Sequence, residues 1–68
     1  MNKYNVVFNM KSGTSLSILF ESTLQHPMDV AKQFIKLSVP YFSSQQSPKA
    51  AVSIKPSEIE YVQVTAIL

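Results

Sequence analysis

The chain predicts a small α+β domain: a two-layer β-β-α-β-β arrangement, with a four-stranded, largely antiparallel sheet and one helix packed on one face. Three observations carry this. Residues 3–21 alternate apolar and polar side chains on both sides of the single glycine, Gly13. Residues 27–38 repeat apolar positions at spacings of three and four. Residues 50–68 return to a period of two. At 68 residues the chain suits one such domain, residues 1–68, with a single small core.

The first hairpin can be read to the level of register. Tyr4, Val6, Phe8 and Met10 alternate with Lys3, Asn5, Val7, Asn9 and Lys11; Leu16, Ile18 and Phe20 alternate with Ser15, Ser17, Leu19 and Glu21. A two-residue Ser-Gly loop would set Phe8 against Ser17 and Val6 against Leu19, splitting the apolar set between faces. A three-residue loop, Lys11-Ser12-Gly13, pairs Phe8 with Leu16, Val6 with Ile18 and Tyr4 with Phe20. It also puts Gly13 at the left-handed position of a type I turn with a G1 bulge. A slip of one residue would turn every side chain to the wrong face, so the three-residue loop is expected. The opposite face then carries Lys3 beside Glu21, Asn5 beside Leu19, Val7 beside Ser17 and Asn9 beside Ser15.

Residues 22–26 connect to a helix expected over 27–38. Pro27 suits the first helical position and Asp29 the first turn, where the dipole favours an anion. Val30, Ala31, Phe34, Ile35 and Leu37 or Ser38 form the apolar stripe, with Lys32, Gln33 and Lys36 on the wet side. Pro40 forces Val39 out of helical geometry and stops the helix near Ser38. Val39-Pro40-Tyr41-Phe42 is an apolar tail after it. Residues 43–49, Ser-Ser-Gln-Gln-Ser-Pro-Lys, hold no apolar side chain and read as a flexible loop. A second hairpin is expected over 50–68. Val52 and Ile54 share one side of its first strand, and Val62, Val64, Ala66 and Leu68 share one side of its second. The reversal is at Pro56–Ile59, where Ser57 and Glu60 match a capping box.

Composition removes most chemistry. There is no Cys, Trp or Arg, and only one His (His26), one Asp (Asp29) and one Gly. No disulfide can form, and one imidazole without thiolates makes a poor metal site. One glycine cannot build a phosphate-cradling loop, and the ten serines include no Gly-x-Ser-x-Gly or Ser-x-x-Lys arrangement. His26 reads as a loop residue before a helix, Asp29 as a helix N-terminal anion, and Glu58 and Glu60 as solvated charge near a turn. No enzyme, cofactor or metal is expected. No apolar stretch approaches the roughly 20 residues of a membrane span, and the start lacks a signal-peptide layout. A cytoplasmic protein without membrane association is the expectation.

What remains is interaction. Apolar residues make up 46% of the chain, more than one small fold hides. Val7 and Leu19 on the outer hairpin face, Tyr41 and Phe42 after the helix, and Tyr61 on the last strand are the candidate anchors for a protein partner. Edge strands without interior proline could also extend another sheet. The expected function is a small non-enzymatic interaction module, self-associating with a dimer favoured. Such a module would act as an accessory or inhibitory factor of the kind phages and mobile elements encode. The alternative is a weak single-stranded nucleic-acid binder using the sheet with Lys3, Lys11, Lys32 and Lys36. Against it stand a net charge of only +2, scattered lysines and the lack of arginine.

Overall fold

In the computed structural model, which describes residues 1–67, the chain runs β1 (Asn2–Met10), β2 (Ser15–Ser22), α1 (Pro27–Ile35), β3 (Phe42–Ser47), β4 (Ala50–Ile54), a single 3-10 turn (Pro56–Glu58) and β5 (Ile59–Ile67). The strands form two antiparallel sheets: three strands in the order β2-β1-β5, and a separate hairpin of β3 and β4.

The β1–β2 register follows from side-chain alternation and the turn. Tyr4 faces Phe20, Val6 faces Ile18 and Phe8 faces Leu16, while Lys3 faces Glu21 and Asn5 faces Leu19 on the other side. The three-residue turn closes with the Gly13 N–H donating to the Met10 carbonyl (2.9 Å) and the Met10 N–H donating to the Thr14 carbonyl (2.9 Å). Gly13 has φ +94°, the region a side chain disfavours.

β1 is the central strand, and its even residues form the middle of the core. Among the described residues Tyr4, Val6, Phe8, Ile18, Val30, Phe34 and Ile54 are the fully buried apolar ones. Val62 and Val64 of β5 extend this face, opposite Phe8 and Val6. The helix lies against β5. From it Phe34 reaches inward to the rings of Phe8, Phe20 and Phe42 at centroid distances of 5.1, 5.0 and 5.1 Å, each edge-on. Such geometry adds about 0.5–1.5 kcal/mol per pair to the burial itself. The connector before the helix is tied to the sheet by the Leu24 carbonyl, which accepts from Asn2 Nδ2 (3.0 Å) and from the Tyr4 hydroxyl.

The structure corrects the expected architecture in four places. There is no single four-stranded sheet, because the strands divide three and two. Of the expected loop 43–49 only Pro48-Lys49 is a turn: Phe42–Ser47 is β3, paired with β4 through Phe42 against Ile54 and Ser44 against Val52. A polar stretch becomes a strand here because one face of its partner, Val52 and Ile54, joins the core and Phe42 anchors the near end. The expected hairpin over 50–68 is absent. The 3-10 turn redirects the chain, and β5 pairs along the nine-residue β1 rather than the five-residue β4. Finally, α1 ends at Ile35, with the Lys36 N–H donating to Lys32 O (3.1 Å) and the Leu37 N–H to Phe34 O (3.4 Å), a tightened last turn. Ile35, expected on the apolar stripe, is exposed, while Leu37 packs against the core from beyond the helix. Leu68, expected on the inward face of the last strand, lies outside the described residues.

Candidate interaction surface

The face of the three-stranded sheet turned away from the helix is built in rows across β2, β1 and β5. These are Glu21-Lys3-Ile67, Leu19-Asn5-Thr65, Ser17-Val7-Gln63 and Ser15-Asn9-Tyr61. Its middle is tied together by side chains. Ser17 Oγ donates to Asn5 Oδ1 (2.8 Å), Ser15 Oγ to Asn9 Oδ1 (2.9 Å), and Asn9 Nδ2 to Gln63 Oε1 (3.2 Å). These mutual bonds hold the polar residues in fixed positions. The large apolar side chains at the periphery are left bare: Leu19 is 65% exposed, Tyr61 51% and Ile67 44%.

Leu19 and Ile67 also line a groove of about 630 Å³, bounded by Lys3 and Glu21 on the sheet and by Ser44, Gln45 and Gln46 of β3. Its polar wall comes from a bulge. Gln45 pairs with Ala51 and Ser47 with Ala50, so Gln46 is the extra residue in β3. The turn that follows, Pro48-Lys49, contains no positive φ, so it is not one of the primed turns that match strand twist. The bulge absorbs that mismatch and aims Gln46 at the free edge of β2. There its Oε1 accepts from the Leu19 N–H (2.9 Å) while its Nε2 donates to Ser44 Oγ (2.7 Å). A side-chain amide thus takes the place of a further strand at this one position.

The expected anchors are not all brought together. Val7, Leu19 and Tyr61 share the outer sheet face, Val7 half-buried between Ser17 and Gln63. Tyr41 is exposed but lies in the connection between α1 and β3. Phe42 is corrected from surface anchor to core: its ring packs on Phe34 and, at 6.3 Å, on Phe8. Ile67 joins the surface, and its place in the outward alternation of the last strand was the signal for it. Gln46 had no such signal, because Ser-Ser-Gln-Gln-Ser shows no period.

The four lysines of the nucleic-acid alternative fall on separate regions. Lys3 is on the outer sheet face and Lys11 in the turn at the far end of β1, about 26 Å away at the rise of a strand. Lys32 and Lys36 are on and just after the helix, in the other layer. Tyr4, Phe8 and Phe20 turn their rings into the core, leaving Tyr61 as the aromatic residue of the outer face.

His26 occupies the N-cap of α1 without a side-chain capping bond, and Asp29 sits in the first turn. Among the described residues no group of three or more His, Asp or Glu side chains is placed to hold a metal ion. No helix among them is long and apolar enough to cross a membrane. Compared with known protein families, with curated proteins and with solved structures, the chain matches none.

Proposed function

We propose that this protein is a small non-enzymatic interaction module that self-associates and docks onto a protein through the outer face of its three-stranded sheet. The carrying observation is the grouping of bare Leu19, Tyr61 and Ile67 on one rigid face around a tied polar centre. Apolar anchors with a polar surround are how protein interfaces are composed. The groove beside Leu19 would receive an apolar side chain of the partner, and Lys3 and Glu21 at its rim would set orientation. The role is steric: occupation of a partner's surface, as an accessory or inhibitory factor.

Single alanine substitutions at Leu19 and Tyr61 test this. Both side chains are exposed, so each variant should keep the unmodified chain's unfolding midpoint while weakening capture of the partner protein about tenfold, a loss of about 1.4 kcal/mol. Light scattering after size exclusion, together with pull-down from the native host, reads the outcome. An inert monomer that captures nothing, or variants that capture the partner as well as the parent, would overturn the reading.

A further inference from the structure

The sheet has two outer edges, and they are treated differently. At β2 the Leu19 N–H is capped by Gln46, and Glu21 adds a charge near the strand's end. β5 also has a charge near one end, Glu60, but among the described residues no side chain caps the outward backbone of its residues 61–67.

Which β5 groups face outward follows from the turn. Met10 directs its N–H and C=O toward β2. Along β1 the even residues therefore bond β2 and the odd ones, Lys3 to Asn9, bond β5. The outward Leu19 N–H, on an odd residue of β2, agrees with this parity. The odd residues of β1 face Ile67, Thr65, Gln63 and Tyr61. The N–H and C=O groups of Val62, Val64 and Ala66 thus point to the free edge, and among the described residues none of them has a partner. Residues 61–67 hold no proline and no charge, the devices by which edge strands are protected.

The strand is also symmetric about Val64. Outward from it come Gln63 and Thr65, then Val62 and Ala66, then Tyr61 and Ile67: polar, apolar, apolar on each side. An antiparallel pairing of identical strands about a two-fold axis sets residue i against residue 128 − i when Val64 is central, so this symmetry sets apolar against apolar and polar against polar. We infer that β5 pairs with the β5 of a second copy of this chain about a two-fold axis at Val64, joining two three-stranded sheets into one continuous sheet. In that register Val62 faces Ala66 of the second copy on the helix side. Bare Tyr61 faces bare Ile67, and Gln63 faces Thr65, on the outer side. The adjacent register keeps a polar pair, Gln63 against Gln63, but sets Tyr61 against Thr65 and so loses its apolar partner. In the register centred on Val64 each facing pair is thus matched in polarity, the self-complementarity that a two-fold interface between copies of one chain uses.

This inference rests on the proposed self-association and specifies its route. Light scattering of the full chain should give a dimer. Val64→Pro removes a donor that has no partner within the protomer, so it should yield a folded monomer by circular dichroism. Should that variant unfold, cysteine pairing decides. The chain has no cysteine, so Gln63→Cys mixed with Thr65→Cys and oxidised with diamide should form a covalent dimer. Either variant alone, with its thiols set diagonally across the axis, should cross-link several-fold less. A monomeric parent overturns the two-fold pairing while leaving docking of a different protein at Leu19 standing. A dimer that ignores Val64→Pro and the cysteine placement but dissociates with Leu19→Ala also overturns the edge pairing, and places self-association on the outer face.

Discussion

Gly13 and Tyr4 show how single residues settle local geometry. A Cβ added at Gly13 would meet nothing within 4 Å, so replacement costs only the backbone conformation at φ +94°. Gly13→Ala is expected to destabilise the protein by about 1–2 kcal/mol, and Gly13→Asn by less, because asparagine tolerates positive φ. Urea unfolding with an unchanged slope would check both. Tyr4 is 1% exposed and spends its hydroxyl on the Leu24 carbonyl. Tyr4→Phe keeps the ring in the core and leaves that carbonyl to Asn2 alone, an expected loss of about 1 kcal/mol in the same measurement. Both residues were visible in the sequence as a turn glycine and an inward strand residue. The Leu24 partner was not, since it depends on the path of a connector with no pattern of its own.

At the scale of elements, local periodicity succeeded where both faces of a strand carried contrast. The hairpin of β1 and β2 has it, and its register was derivable. β3 does not, and its strand character comes from β4 and from Phe42 below it. Two-stranded hairpins are marginal alone, so the β3–β4 unit depends on those apolar contacts and on the Gln46 amide. Gln46→Ala should therefore lower global stability by under about 1.5 kcal/mol. Its clearer signature should be local: faster hydrogen exchange at the Leu19 amide, with the Tyr4, Val6 and Phe8 amides unchanged. Equal acceleration at all four amides would mean that Gln46 serves the fold generally rather than this edge.

The whole molecule rests on a small core. Among the described residues seven apolar side chains are fully buried, and domains of this length carry about 3–10 kcal/mol of net stability. Phe34 is the one ring in contact with Phe8, Phe20 and Phe42, so it joins the helix, the three-stranded sheet and the β3–β4 hairpin. Phe34→Ala should cost about 3–5 kcal/mol, most of that reserve, and should collapse both sheets in one transition. Coincident thermal melts followed by far- and near-ultraviolet circular dichroism would show it. Separate transitions would mean that the hairpin of β3 and β4 folds on its own. Exposed Leu19 and Ile67 contribute little to this balance, so substitutions there act on association and leave the melt in place.

The sequence by itself determined the first hairpin with its register, the existence of the helix with Val30 and Phe34 inward, the outward placement of Leu19 and Tyr61, and the shortage of catalytic side chains. Each of these depends on neighbours within one strand, one helical turn or one tight turn, where alternation and backbone geometry leave a single solution. Only the tertiary structure decided that β5 crosses to β1, that Ser-Ser-Gln-Gln-Ser is a strand, that Phe42 turns inward and that Gln46 closes one sheet edge while β5 leaves the other open. Those outcomes are choices between pairings of similar local energy, and they are made by which arrangement buries Phe8, Phe34, Phe42 and Ile54 together.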